Sequence, residues 1–153
     1  MDKATSKGFS FGLVSGVITT LGIMIGLEVG TNSRAIILLG ILTIGFADGL
    51  SDALGVHVSE ESEKKSEQKI WRATIAAFLS KAFFALTFTV PILILELNTA
   101  IIVSIVYGLI IIGILSYFIG KQRKKLLITI AEHELLAIVV MIGTYLIGSA
   151  LKP

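Results

Sequence analysis

Residues 99–120 read TAIIVSIVYGLIIIGILSYFIG and contain no charged side chain. A helix needs about 20 mainly apolar residues to cross the hydrocarbon core of a bilayer, so this stretch alone predicts a transmembrane helix. The strands of a membrane barrel are about half as long, and a bilayer offers no partner to unpaired backbone groups. The stretch therefore indicates an all-α integral membrane protein.

Four further apolar stretches of similar length accompany this one. The predicted spans are residues 8–27, 35–56, 71–95, 99–120 and 126–150, and the longest joint is a short cytoplasmic loop over residues 57–70. Only 16% of the residues are charged, against roughly a quarter in soluble domains. We expect one five-helix transmembrane domain over residues 1–153, whose first span is a retained helix and not a signal peptide.

The positions of Lys and Arg predict the orientation. If the N-terminus is cytoplasmic, ten of these residues lie in inside segments and only Arg34 and Lys152 lie outside. The positive-inside rule then predicts an N-in, C-out topology. The net charge of +2 is too small to indicate a nucleic acid partner. The chain has no cysteine and no catalytic signature, so we expect neither an enzyme nor a bound cofactor.

Glycines spaced four apart indicate close helix packing, because small residues let two backbones approach. The first span carries two such series, Gly8, Gly12 and Gly16 followed by Gly22, Gly26 and Gly30. Two interpretations stay open. The series pack against other helices of the same subunit, or the first helix also packs against its copy in a homodimer.

Charged side chains inside the spans are the main candidates for function, since a charge in a bilayer is costly. At 1.5 Å per residue, Asp48, Asp52, Lys81 and Glu134 lie about 6–15 Å from the cytoplasmic ends of their spans, in one layer. Asp48 and Asp52 are four apart and share a helix face. One interpretation is a structural ion pair between Lys81 and Asp48. The other is a cation path whose carboxylate oxygens suit a divalent ion.

The segment after the second span offers a second set of ligands. If the second helix continues into the cytoplasm, one stripe of side chains could collect transition-metal ions at a pore mouth: His57, Glu60, Glu63 and Glu67. The alternative is a solvated helix end with ion pairs at i,i+4, Glu60 with Lys64 and Glu61 with Lys65.

Two motifs resemble the vacuolar iron transporter family. Residues 15–26 read SGVITTLGIMIG, in the frame of the family's first-helix motif DGLVTTxGxVxG. Residues 47–59 read ADGLSDALGVHVS and match the family's second-helix pattern AGALSMALGEYVS at eight of thirteen positions. Pro91 in the third span and the closing segment TYLIG at 144–148 follow in the family's order, so the resemblance covers nearly the whole chain.

The resemblance implies a homodimer through helix 1 that exports Fe²⁺ or a similar divalent ion such as Mn²⁺ from the cytoplasm, with proton exchange as the driving force. Ser15 stands where the family has its first-helix acid, and Asp52 stands where it has a second-helix methionine. The family's acidic insertion between helices 2 and 3 is reduced to the loop 57–70. With these departures, the implied ion ligands are Asp52, Asp48, Ser15 and Thr19.

The sequence therefore predicts a dimeric divalent-metal exporter in a prokaryotic cell membrane. Lys81 and Glu134 are candidates for proton coupling or ion pairing. Two alternatives remain: a proton-coupled exporter of another solute, and a non-transporting membrane scaffold in which Lys81 neutralises the second-span acids.

Overall fold

The computed structural model describes residues 2–152 and contains five long helical spans. The helical elements are α1 (Lys3–Thr31), α2 (Arg34–Thr43), a π-helical segment (Ile44–Asp48), α3 (Gly49–Ser62), α4 (Glu67–Thr87), α5 (Thr89–Ile94), α6 (Leu97–Arg123) and α7 (Leu126–Leu151). The second span consists of α2, the π segment and α3, and the third consists of α4 and α5. All five spans are long and apolar enough to cross a membrane, which confirms the predicted all-helical, multi-pass architecture.

The predicted loop over residues 57–70 is wrong in its extent. Helix α3 continues to Ser62 and α4 begins at Glu67, so only residues 63–66 connect them. Hydropathy marks the part of a helix that lies in hydrocarbon, and the polar turns beyond it are helical without being apolar. Consequently His57 and Glu60 lie on α3, not in a loop.

Helix α1 packs against both α4 and α7 at its glycines. A Cβ atom on any of the first three glycines would overlap α4; at Gly16 it would lie 2.9 Å from the Lys81 carbonyl oxygen. A Cβ atom on Gly22 would lie 2.9 Å from the Val140 side chain of α7. Both glycine series therefore serve packing within the chain, as one of the two interpretations predicted.

The register of these contacts shows that α4 and α7 run parallel to α1. Contacting residues on α1 and α4 differ by a constant 65 positions, as in Gly8 with Ala73 and Gly16 with Lys81. Contacting residues on α1 and α7 differ by 118, as in Gly26 with Thr144, or by one turn more, as in Gly26 with Gly148. The first, third and fifth spans are thus parallel, as expected when successive spans cross a membrane in opposite directions.

Pro91 interrupts the third span. It lacks a backbone N–H, and its ring clashes with the carbonyl group four residues earlier, at Thr87, where α4 ends. Across the bundle, Arg34 donates from its guanidinium to the backbone oxygens of Ile92 and Leu95, the latter at 2.8 Å. These bonds satisfy carbonyl groups that the end of α5 leaves unpaired.

The N-terminus of α1 is held by Asp2. Its carboxylate accepts a hydrogen bond from the Thr5 backbone N–H at 2.8 Å and one from Arg72 of α4 at 2.9 Å. These two bonds, led by the Thr5 N–H, lower the pKa of Asp2 to about 2. The cap therefore joins the beginning of α1 to the beginning of α4.

Candidate functional site

The Lys81 ammonium lies where three spans meet. It forms ion pairs with Asp48 and with Asp52, the latter at 2.5 Å, and it donates a hydrogen bond to Ser15 Oγ at 3.0 Å. An ammonium has three hydrogens, so these three acceptors use all of them. The Lys81 side chain is 1% exposed. The ion pair expected from the depths of Lys81 and Asp48 is present, and Asp52 joins it.

Ser15 and Thr19 connect this cluster to α1. Ser15 Oγ donates a hydrogen bond to Asp52 Oδ2 at 2.5 Å while it accepts one from Lys81. One turn further on, Thr19 Oγ1 donates to the Ser15 backbone oxygen at 2.5 Å. Three of the four implied ion ligands, Ser15, Asp48 and Asp52, are thus in direct contact with Lys81 or with each other.

The cluster carries a formal excess of one negative charge, since two carboxylates share one ammonium when all three groups are ionised. The Asp48 side chain is 36% exposed and that of Asp52 is 23% exposed, whereas Lys81 is enclosed. The carboxylates are therefore accessible from outside the bundle, and their counter-ion is not.

The π-helical segment positions the two carboxylates. The Gly49 backbone N–H donates to the oxygen of Ile44, five residues earlier, where an α-helix would bond four residues earlier. Such segments change the register of a helix and occur often at functional sites. Gly45 and Gly49 flank the turn and face α4 side chains, so the second span comes close to α4 just where Asp48 meets Lys81. No feature of the hydropathy pattern marks this segment, so it could not be predicted from the sequence.

An apolar groove runs along α1 from Thr19, one turn from this cluster, toward the opposite end of the span. Its volume is about 450 Å³. Its floor includes Thr19, Gly22, Gly26 and Gly30 of α1, and its walls come from Ile44 and from α7 residues such as Val140, Thr144 and Ile147. Ser15 is outside the lining but lies on the same helix face, because positions 15, 19, 22, 26 and 30 follow the spacing of one face.

His57 and Glu67 do not take part in a common ligand stripe. His57 Nδ1 lies 3.1 Å from Thr74 Oγ1, and its ring packs edge-on against Trp71, so His57 is held against α4. Glu67 is exposed in the first turn of α4 and lies on a different helix from His57. The predicted stripe is wrong because α3 ends at Ser62.

Glu60 and Glu63 converge on Lys7 of α1. The buried Glu60 carboxylate, 2% exposed, pairs with the Lys7 ammonium, and Glu63 lies 3.0 Å from it. Hydrogen bonds from Lys7 and from Lys65 lower the pKa of Glu63. Within residues 2–152, the ion pairs expected at i,i+4 do not form, since Glu60 pairs with Lys7 and not with Lys64.

Glu134 lies apart from the Lys81 cluster. It is partly buried on α7 and faces Gly113 of α6. Its neighbour His133 bonds through Nδ1 to Ser116 Oγ at 2.8 Å. The α1–α7 register, continued along both helices, puts His133 level with Ser15, in the layer that the sequence predicted. In the described part of the chain, however, no hydrogen bond or ion pair joins Glu134 to the Lys81 cluster.

The oxygens of Asp48, Asp52 and Ser15 are the groups that a cation could use here. Within residues 2–152, no three His, Asp or Glu side chains form a metal-ligand group. The fold and the cluster together define a multi-pass helical membrane protein with a charged cluster inside its spans. No family model, curated protein or solved structure matches the chain. The likeness to the vacuolar iron transporter family therefore rests on the quoted motifs alone.

Proposed function

We propose that this chain is a membrane transporter that exports a divalent metal cation, such as Fe²⁺ or Mn²⁺, from the cytoplasm in exchange for protons. The observation that supports this function is the excess charge of the Lys81 cluster. A structural ion pair needs one carboxylate, and a second unneutralised carboxylate inside a span is costly. A cation that binds Asp48 and Asp52 during transport would neutralise the second carboxylate and so offset that cost.

The kind of ion follows from the available ligands. Carboxylate and hydroxyl oxygens are hard donors, which favour Mn²⁺, Fe²⁺ or Mg²⁺ over soft ions. In this proposal Lys81 holds Asp48 and Asp52 while no ion is bound, and an arriving cation competes for their exposed oxygens. The proton exchange is what the family resemblance implies, and the prokaryotic cell membrane is the location expected from the sequence.

We also propose an N-in homodimer through helix 1. The glycine series already pack inside the chain, so the dimer contact would use the part of α1 that stays accessible, where Phe11, 46% exposed, is the most exposed apolar side chain. The groove borders the same face of α1.

Uptake into proteoliposomes tests the proposed function. We expect Fe²⁺ or Mn²⁺ uptake that depends on a pH gradient and exceeds uptake of Zn²⁺ or Ca²⁺. Asp52→Asn keeps the size of the side chain and removes its charge, so it should abolish most of this uptake. Glu132→Gln removes a carboxylate from the exposed side of α7 and serves as the matched control. Uptake that is equal for wild type and Asp52→Asn from pH 6 to 8 would contradict the proposal.

A non-transporting membrane scaffold is the second candidate. The observation that favours it is the saturation of Lys81, whose three hydrogens are all bonded to Asp48, Asp52 and Ser15. If this candidate is correct, wild-type vesicles show no uptake of any tested ion above empty vesicles. Substitutions at Lys81 would then change stability alone.

A further inference from the structure

We propose that the groove beside α1 binds lipophilic organic monocations, with their apolar groups in the groove and their positive charge on the side of Asp52. The inference rests on the proposed function in one respect, since it takes Asp48 and Asp52 as a cation-binding pair. It goes beyond that function in the class of ligand.

The charge of the cluster fits a monovalent ligand. Two carboxylates and Lys81 leave one negative charge, which a single positive charge neutralises. A divalent ion at the same place would leave one positive charge inside the span unless Lys81 moved away. Because net charge in a bilayer is costly, the cluster with Lys81 still in place favours a monocation, whereas the divalent ion of the proposed function displaces Lys81 from the carboxylates.

The lining of the groove fits an apolar body. Apart from three threonine hydroxyls, the lining consists of glycine, valine, isoleucine and leucine side chains. A divalent ion that leaves water needs six or more oxygen ligands, which such a surface cannot supply. An apolar group gains free energy by leaving water for this surface. The volume of about 450 Å³ lies in the usual range of small-molecule pockets.

The geometry gives such a ligand access to the acids. The groove is partly open to the surroundings of the bundle, so a molecule dissolved in the bilayer can enter it sideways. Its lining ends at Thr19, one helical turn from Ser15, which bonds directly to Asp52. The apolar part and the charge of one molecule would thus find complementary partners one helical turn apart.

Binding of radiolabelled tetraphenylphosphonium to the purified protein in nanodiscs tests this inference. This ion is bulky, apolar and permanently charged. We expect saturable binding that neutral triphenylphosphine oxide and the small cation tetramethylammonium do not displace. Asp52→Asn should weaken binding at least about tenfold, through loss of the excess charge. Glu132→Gln should leave it unchanged.

A pair of tryptophan variants tests the groove itself. Ile147 and Leu146 are neighbours on α7 and are both 60% exposed, but only Ile147 lines the groove. Ile147→Trp should fill the groove and reduce binding at least about tenfold, while Leu146→Trp should not. Equal melting temperatures for the two variants would show that the difference is local.

Three results would overturn the inference. Binding that is unaffected by both Asp52→Asn and Ile147→Trp would be simple partition into lipid. Absence of binding in nanodiscs, with binding restored in detergent, would mean that a lipid chain occupies the groove. Absence of binding together with efficient crosslinking between Ile147→Cys copies would mean that a second subunit fills it.

The two proposals fail separately. Fe²⁺ or Mn²⁺ uptake without tetraphenylphosphonium binding overturns the inference and leaves the proposed function intact. Binding that depends on Asp52, in a protein that moves no metal, overturns the metal assignment and supports the monocation site.

Discussion

Removal of the Lys81 ammonium by Lys81→Met should destabilise the protein more than removal of either acid. The wild-type cluster has a net charge of −1. Lys81→Met changes it to −2, with two carboxylates side by side and no counter-ion. Asp52→Asn changes it to zero and keeps the Lys81–Asp48 pair. Each of these two substitutions keeps roughly the size of the side chain it replaces, so the charge balance distinguishes them.

The structure sets the magnitude of the effect. Breaking a buried ion pair by removing one partner costs about 3–5 kcal/mol. Lys81 is 1% exposed and saturated with acceptors. Asp48 is partly exposed, which places the cost toward the lower end of that range. At about 2–4 °C per kcal/mol for a chain of this size, a cost of about 3 kcal/mol should lower the melting temperature by about 6–12 °C.

The contacts also change the expected rescue. If Lys81 paired with Asp48 alone, Lys81→Met with Asp48→Leu would restore stability. Because Lys81 also bonds Asp52, this double variant still holds one unpaired carboxylate and should recover only part of the loss. Adding Asp52→Asn should recover most of the rest, since apolar replacements of buried pairs are often neutral.

Thermal unfolding in detergent, monitored by size-exclusion chromatography in the presence of a chelator, measures the order of melting temperatures among these variants. Lys69→Met is the matched control, because Lys69 is an exposed lysine on the same helix. A melting temperature for Lys81→Met equal to that of Lys69→Met would refute the assignment of Lys81 as the counter-ion.

Three further predictions concern packing, capping and pH. Gly12→Leu should prevent folding, since even a Cβ atom there overlaps the Ala77 oxygen of α4, whereas Gly143→Leu meets no atom within 4 Å and should express normally. Arg34→Met leaves two carbonyl groups at the end of α5 without a partner and should cost about 1–3 kcal/mol, read as a lower melting temperature. The pKa of Asp2 is lowered to about 2, so its cap is fully effective above its ordinary pKa near 4 and is lost as the pH falls toward 2. The protection of first-turn amides of α1 against hydrogen exchange, taken relative to the intrinsic rate at each pH, should fall over that range in wild type and not in Asp2→Asn.

The number and kind of spans could be predicted because a helix must be apolar over about 20 residues to cross a bilayer. The Lys81–Asp48 contact could also be predicted, since an unpaired charge inside a bilayer is costly and these two opposite charges lie at similar depth. The ends of the helices could not, because α3 continues through polar residues to Ser62 once it leaves the hydrocarbon.

Other features depend on tertiary structure that no local pattern encodes. The glycine spacing predicted close packing. It did not predict that Gly16 packs against α4, because that contact depends on how the two helices fit together. The joint contact of Asp48 and Asp52 with Lys81 depends on a backbone bond five residues long at Gly49. The stripe from His57 to Glu67 failed because a single helix end separates its members.

The placement of Lys81 has a consequence for biosynthesis. A ribosome completes the second span, with Asp48 and Asp52, before the third span emerges. A lysine at the middle of a nascent helix costs about 2.5–3.5 kcal/mol when the membrane insertion machinery releases it alone. If the two spans leave that machinery as a hairpin, the acids offset this cost at the moment of insertion. We therefore expect Asp48→Leu with Asp52→Leu to reduce insertion of the third span in a glycosylation-mapping assay, and Lys81→Leu to restore it.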